Sequence, residues 1–166
     1  YGFGSAGEPT QGAGAIAMVV SAHPRLVEIH PACGSYMEDV MDFWRPNYMN
    51  EAVVDGKYSI KMYLKALMES WHAYCEEGGM DLGEFSRFCY HLPFTRMAEK
   101  AHRHLVRNTG ANLSTEQQAA QIDDTLIYNR LIGNCYTASL YVGLISLLEG
   151  SERDLGNQHV GMFSYG

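Results

Sequence analysis

One short segment, residues 88–100, constrains the fold more than any other part of the chain. An apolar and aromatic run over 88–90 has the composition of a buried strand and ends at His91. Pro93 follows, in a position favoured at the first turn of a helix, and the apolar residues then recur at helical spacing. The segment therefore predicts a strand that leads directly into a helix, with a titratable imidazole between them.

This arrangement makes His91 the leading candidate for a functional residue. In open α/β sheets, ligands bind beside the carboxyl ends of the strands. A helix N-terminus nearby also offers unpaired N–H groups and a positive dipole end to an anion. A histidine there can exchange protons or donate a hydrogen bond to a carbonyl oxygen. A core histidine with satisfied hydrogen bonds is an equally consistent interpretation.

The rest of the pattern alternates strands with helices, which is typical of an α/β fold. Further strands are predicted at 15–21, 26–29 and 160–164. One helix is predicted to begin with Ser59 as its N-cap and to end at the glycines at 78–79, and a short helix is predicted at the capping box over 81–84. Two more helices are predicted, one from Ser114 or Thr115 to about 131 and one over 136–149. The small residues of the last helix predict that it is deeply buried. The long irregular stretch 30–58 suits a loop that lines a substrate.

Length and composition exclude several classes of protein. The 166 residues fit one domain with a hydrophobic core. The net charge of −7 argues against a nucleic-acid binder, since such affinity comes mainly from basic residues meeting phosphates. No apolar stretch is long enough to cross a membrane, and no signal peptide is visible. The cysteines lack paired spacing, which favours a reducing, cytoplasmic setting. Because the chain opens on Tyr1 and stops within a motif, we expect an internal piece of a longer protein.

A basic stripe is predicted on the helix that follows His91. Arg96, Lys100, Arg103 and Arg107 share one helical face in a chain that is otherwise acidic. A solvated face is the ordinary interpretation, and a landing site for phosphates or for an acidic partner protein is the functional one. The first two residues lie near the helix start and suit a ligand phosphate, whereas the last two suit a protein surface.

Asn134 is a weaker candidate, and other motifs fail on context. It follows Gly133 at a break between two predicted helices, where a side-chain amide can donate to a developing oxyanion, although a turn asparagine is the more frequent role. The glycines at 2, 4 and 7 match a dinucleotide-binding spacing but have no strand before them and no helix after them. No set of histidines and cysteines has zinc-site spacing, so no metal is expected.

Several short motifs in a fixed order carry a family resemblance. They are GEPTQGAGA at 7–15, DFWRP at 42–46, VDGKYSI at 54–60, YHLPF at 90–94, GNCYT at 133–137 and FSYG at 163–166. With them the chain resembles the 3-hydroxy-3-methylglutaryl-CoA (HMG-CoA) synthase family of thiolase-fold condensing enzymes, acyltransferases that form homodimers. The resemblance implies a layered αβαβα fold, with residues 1–166 forming an internal or C-terminal-half part of one domain.

The resemblance also implies an activity. The family joins an acetyl group, held on an enzyme cysteine, to the ketone of an acetoacetyl thioester. His91 would bind and polarise the acetoacetyl group, Asn134 would contact the same substrate, and Ser59, Arg96 and Lys100 would contact the CoA or phosphopantetheine arm. Arg96 stands where lysine is usual in the family, so a planar guanidinium group replaces a compact ammonium group. The family's nucleophilic cysteine and general-base glutamate match nothing in the chain, which is therefore expected to be inactive alone.

The thioester carrier separates two branches of this family, and neither branch holds a permanent cofactor. One acts on free acetoacetyl-CoA in the mevalonate pathway, and the other installs β-branches on polyketides tethered to acyl carrier proteins. The segments 34–36, 40–42 and 101–103 resemble the polyketide branch, and a basic stripe with Arg103 and Arg107 suits an acidic carrier protein. The segments 54–60 and 135–137 fit the CoA branch equally. We favour the polyketide branch; the alternatives of another kind are a non-catalytic relative that binds a carrier protein and a decarboxylase-like relative.

Overall fold

The computed structural model describes residues 2–5, 7–151 and 154–166. These residues form a mixture of helices and strands, which agrees with the predicted α/β class. In chain order they are β1 Phe43–Trp44, β2 Val53–Val54, α1 Gly56–Glu76, β3 Phe85–Tyr90, α2 Arg96–Thr109, α3 Thr115–Ala120, α4 Ile127–Ile132, α5 Ala138–Gly150 and β4 His159–Phe163. Short 3-10 turns lie at Glu8–Thr10, Leu82–Glu84 and Asp123–Thr125. Among the described residues, no helix combines the length and the apolarity that a membrane span requires.

The parallel pair of β3 and β4 organises the centre of the chain. Tyr90 of β3 lies opposite Phe163 of β4, so both strands reach their carboxyl ends at the same level. The strands predicted at 88–90 and 160–164 are confirmed, although β3 begins earlier, at Phe85. Parallel strands of this kind are covered by helices; here α1, α2 and α5 pack around the pair.

Helix α2 packs through one apolar face, as its sequence pattern predicts. The buried residues of this face are Met97, Ala98, Ala101, His102, Leu105 and Val106. The apolar residues among them join Tyr63 and Leu67 of α1 in one hydrophobic core. Burying each large apolar side chain contributes about 1.5–3 kcal/mol relative to exposure. Gly110 ends the helix in the left-handed conformation, a backbone region that glycine enters without strain.

Helix α5 is buried along most of its length, which confirms the prediction made from its small residues. Ser139, Ser146 and Leu147 are at most 1% exposed. A side chain at Gly143 would meet the Thr125 carbonyl oxygen at 3.2 Å, so glycine allows the close approach of α5 to the turn at 123–125.

Two helix starts differ from the predictions. The N-cap of α1 is Asp55, whose carboxylate accepts the Tyr58 N–H at 3.0 Å, and Ser59 lies inside the helix. The prediction that Ser59 caps α1 is therefore wrong, because a carboxylate four residues earlier captures the free amides first. Helix α2 begins at Arg96 rather than at Pro93, which lies in the bend between β3 and the helix.

The single helix predicted from 114 to about 131 is broken into α3, a 3-10 turn and α4. Ser114 caps α3, as predicted, by accepting the Gln117 N–H. The break follows from side-chain bonds that tie the turn to β3. Thr125 donates to the Phe88 carbonyl oxygen at 3.2 Å, and the Asp124 carboxylate accepts the Arg87 Nε–H at 2.8 Å. These bonds compete with continuation of the helix.

The strands predicted at 15–21 and 26–29 are wrong. Both segments lack strand structure and are exposed, with Val19 at 97% and Ile29 at 86% exposure. Apolar composition favours a strand, but a strand forms only where its backbone groups find a partner. Among the described residues, no neighbouring strand offers one to either segment.

Candidate functional site

A cleft of about 610 Å³ lies between the carboxyl end of β3, the first turns of α1 and the start of α5. His91, Asn134 and Ser59 all line it, so the structure brings together three residues that the sequence analysis singled out from distant segments. The stretch 30–58 contributes Tyr36 and Asp42 to the wall, which agrees with its predicted role as a lining loop.

The backbone of His91 is held from both sides. Its N–H donates to the Phe163 carbonyl oxygen at 2.8 Å, extending the β3–β4 ladder by one residue. Its carbonyl oxygen accepts the Tyr63 hydroxyl at 2.8 Å, which ties the strand end to α1. The imidazole is only 8% exposed yet faces the cleft, so its position is fixed before any ligand enters.

The His91 ring is neutral at physiological pH. Burial lowers the pKa of His91 to about 4, against a smaller opposing contribution from a backbone hydrogen bond with Tyr136. The Nδ1 atom lies 3.4 Å from the Ser139 hydroxyl oxygen. A neutral imidazole still donates one hydrogen bond and accepts another, so this ring suits polarising a carbonyl group better than carrying a permanent charge.

Asn134 is positioned by a backbone bridge to the N-terminal part of the chain. Its N–H donates to the Thr10 carbonyl oxygen at 2.8 Å, and its own carbonyl accepts the Gly12 N–H at 2.7 Å. Gly12 has no space for a side chain, because a Cβ there would overlap the Ile132 carbonyl oxygen. The side-chain Oδ1 accepts the Tyr136 N–H at 2.8 Å. This leaves the Nδ2 amide as the group that can donate to a ligand in the cleft.

The N-terminus of α5 adds a favourable field to the same region. Thr137, the N-cap residue, and Tyr136 both line the cleft. The first amides of a helix lack intrahelical partners, and the dipole places a partial positive charge there. A negative charge that develops near His91 and Asn134 is therefore stabilised from a third direction.

Aromatic rings form the wall behind His91. Tyr165 lies 5.0 Å from Tyr63 and 6.4 Å from His91, measured between ring centroids. The Tyr165 hydroxyl donates to the buried Asp42 carboxylate at 2.7 Å. Burial and this carboxylate both raise the pKa of Tyr165. The bond joins the stretch 30–58 to the end of β4 and so closes the cleft on that side.

The basic stripe lies outside the cleft. Lys100 sits 5.3 Å from the centroid of the Phe94 ring, and Phe94 lines the cleft, so Lys100 lies at its rim. The Arg96 side chain is 83% exposed and makes a loose ion pair with Glu99 at 3.8 Å. Arg103 and Arg107 continue the exposed face along α2.

The sequence analysis missed the residues that hold the site together. It assigned no role to Tyr63, a residue of α1, and Ser139 entered it only among the small residues of the last helix. A tyrosine in a buried stripe does give a signal, because its hydroxyl needs a partner, but the identity of that partner depends on the fold. Among the described residues, no group of three or more His, Cys, Asp and Glu side chains could hold a metal ion.

Comparison with protein families gives one match that covers most of the chain. Residues 29–112 and 105–166 match the family model described as hydroxymethylglutaryl-coenzyme A synthase C terminal. A relative, the hydroxymethylglutaryl-CoA synthase of Enterococcus faecalis, is 38% identical over 168 residues, which cover 100% of this chain and 43% of the relative.

Solved structures give the same picture. A crystal structure of HMG-CoA synthase complexed with CoA has a TM-score of 0.89 and 39% identity, and covers 100% of this chain and 43% of its own. The HMG synthase of the curacin biosynthetic pathway, in complex with holo donor acyl carrier protein (ACP), has a TM-score of 0.73 and 29% identity over 82% of this chain and 34% of its own. The chain thus spans less than half the length of the proteins it matches.

Proposed function

The chain belongs to the hydroxymethylglutaryl-CoA synthase family, and from this premise we propose that it provides the acceptor side of a hydroxymethylglutaryl synthase. The reaction joins an acetyl group, held as a thioester on a cysteine outside these residues, to the ketone of an acetoacetyl thioester. The product is a 3-hydroxy-3-methylglutaryl thioester. The observation that carries the proposal is the convergence of His91, Asn134 and the N-terminus of α5 on one cleft.

The chemistry requires stabilisation of an alkoxide. When the carbanion of the acetyl methyl group attacks the ketone carbon, a C–C bond forms and the carbonyl π electrons move onto oxygen. The His91 ring N–H and the Asn134 amide are the donors placed to meet that oxygen, since both residues line the cleft. Their backbones are pinned by hydrogen bonds, so little reorganisation is needed as charge develops. Protonation of the alkoxide then gives the tertiary hydroxyl group.

The thioester arm is proposed to follow the rim of the cleft. Ser59 lines the cleft from the first turns of α1 and can bond the amides of a pantetheine chain. Lys100 and Arg96 lie at and beside the rim, where phosphate groups of CoA or phosphopantetheine would come within reach of their charges. An arginine at 96 offers bidentate contact to a phosphate, which a lysine cannot.

For the carrier, we favour an acyl carrier protein and therefore polyketide β-branching. The exposed Arg103 and Arg107 extend the basic stripe away from the cleft, where a macromolecular partner could contact them. Carrier proteins are acidic, and a curacin-pathway relative has been crystallised with a donor ACP. A specific observation favours free acetoacetyl-CoA and the mevalonate pathway as the second candidate: identity is 39% to the CoA-bound synthase but 29% to the curacin enzyme.

A direct assay on the full-length protein tests the proposal. The protein would receive an acetyl donor and then acetoacetyl-CoA and acetoacetyl-ACP in parallel, with the products followed by intact mass. Condensation mainly on ACP supports β-branching, and condensation mainly on CoA supports the second candidate. Absence of condensation on either acceptor, from a protein that binds both, would overturn the synthase assignment and leave a non-catalytic carrier-binding relative.

A further inference from the structure

We propose that Ser139 is a positioning residue that fixes the tautomer of His91, so that the imidazole carries its proton on Nε2 and donates from there to the acceptor oxygen. The inference rests on the proposed function and deepens it, because it assigns a role to a residue that does not itself reach the substrate.

The Ser139 hydroxyl has two hydrogen-bonding neighbours. Ser139 is fully buried in the first turn of α5. Its oxygen accepts the Leu92 N–H at 3.0 Å and lies 3.4 Å from His91 Nδ1. An amide N–H can only donate, so the hydroxyl proton needs another partner. Among the described residues, His91 Nδ1 is the acceptor within reach of that proton.

The tautomer of the ring follows from this direction of the hydrogen bond. If Nδ1 accepts the Ser139 proton, the single proton of a neutral imidazole resides on Nε2. In the opposite tautomer Nδ1–H would donate to the Ser139 oxygen, and the buried hydroxyl proton would be left without an acceptor among the described residues. That tautomer would also present a lone pair on Nε2, which repels a developing alkoxide instead of stabilising it.

The hydroxyl is itself held in place. The Ser139 N–H donates to the Tyr136 carbonyl oxygen at 2.9 Å, and the Ser139 carbonyl accepts the Asn129 amide at 3.1 Å. Because Leu92 directly follows His91, one hydroxyl contacts both the ring and the adjoining backbone. Orientation of the imidazole is therefore built into the free protein, where it lowers the entropy that must be lost at the transition state.

The test compares Ser139→Ala with a matched control in the full-length protein. Ser146→Ala removes another buried hydroxyl from α5, one that donates to the Asp124 carbonyl oxygen at 2.6 Å and does not line the cleft. The readouts are the ¹⁵N chemical shifts of the His91 ring, which distinguish the two tautomers, and kcat and KM for the acetoacetyl thioester.

We expect the parent protein to show the Nε2–H tautomer, and Ser139→Ala to show a mixture. Its kcat should fall by about tenfold to a hundredfold, part of what a positioned proton donor contributes, with KM changed far less. Ser146→Ala should keep both the tautomer and kcat. Ser139→Cys keeps a side chain of similar size but has a weak donor, so it tests the same point with little packing change and should also lose the pure Nε2–H form.

The inference is overturned if Ser139→Ala, or Ser139→Cys where the alanine variant does not fold, matches Ser146→Ala in both readouts. Failure of the proposed function has a different signature. In that case the full-length protein does not condense either acceptor, yet the ring still changes tautomer on loss of the Ser139 hydroxyl.

Discussion

Two histidines are buried within the described residues, and they are held in opposite ways. His102 bonds at both ring nitrogens: Nδ1 pairs with the Tyr90 hydroxyl and Nε2 with the Gln121 side-chain oxygen, each at 2.9 Å. The His91 ring lies beside the Ser139 hydroxyl at Nδ1 and the backbone of Tyr136, and it faces the cleft. His102 thus has the satisfied hydrogen bonds of a core histidine, whereas the ring of His91 lies where a ligand in the cleft could reach it.

The lowered pKa of His91 makes stability depend on pH in a defined direction. The unfolded chain protonates this ring near its ordinary value of 6.5, whereas the folded protein does so only at about 4. The free energy of unfolding therefore has its full value above pH 6.5. It decreases as the pH falls from 6.5 towards 4, by up to about 3 kcal/mol. Burial lowers the pKa of His102 too, which acts in the same direction.

Urea unfolding of the parent protein and of His91→Asn checks this prediction. Between pH 6.5 and 4 the free energy of unfolding of His91→Asn should decrease less than that of the parent protein. For His72→Asn, at an exposed position on α1, it should decrease as much as for the parent. Equal slopes for all three proteins would contradict the assigned ionisation of His91.

At the scale of elements, the segments that could be predicted are those whose structure is determined by residues close together in the sequence. The order of β3, His91 and α2 is predicted by contiguous residues: an apolar run, a proline and then apolar residues at helical spacing. The break at 121–126 depends on bonds from Thr125 and Asp124 to β3, which is distant in sequence. The predicted strand at 15–21 had the right composition but finds no partner among the described residues.

The same limit applies to the site. The location of His91 beside a cleft could be predicted, because a strand end beside a helix start is a general location for ligands. Tyr63 and Thr10 could not be assigned their roles, because each acts through a hydrogen bond with a residue far away in the sequence. Ser59 was placed at the substrate arm by resemblance; its position in the cleft follows from the helix start at Gly56 rather than from a capping role.

The bridge between residues 10–12 and Asn134 gives a prediction at this scale. Gly12→Ala would force the added Cβ against the Ile132 carbonyl and so push the bridge apart. We expect a loss of about 1–3 kcal/mol, typical of overpacking, and a fall in condensation as Asn134 leaves its position. Gly83→Ala is the matched control, since a Cβ there meets nothing within 4 Å. Melting temperature and kcat measure the two effects, and a Gly12→Ala variant that behaves like Gly83→Ala would refute the role of the bridge.

At the scale of the whole molecule, the basic stripe contrasts with an acidic chain of net charge −7. If it docks a carrier protein, Arg103→Glu combined with Arg107→Glu should raise KM for acetoacetyl-ACP, because like charges then face each other. The effect should weaken as salt is added, since exposed charges are screened. Activity on acetoacetyl-CoA should stay close to that of the parent.

A charge-conserving control separates docking from folding. Arg103→Lys with Arg107→Lys keeps the field of the stripe and should retain most of the activity on ACP. Loss of activity on CoA alone after the double glutamate change would show that these arginines serve the nucleotide instead of a partner protein.

The central claim is that His91 acts on the acceptor and not on the acetyl-enzyme, and one measurement tests it most directly. In the full-length protein, His91→Ala would be given an acetyl donor, and both enzyme acetylation and condensation with an acetoacetyl thioester would be followed by mass. We expect acetylation comparable to that of the parent and no condensation above background. Condensation that persists, or acetylation that is lost together with it, would contradict the assignment.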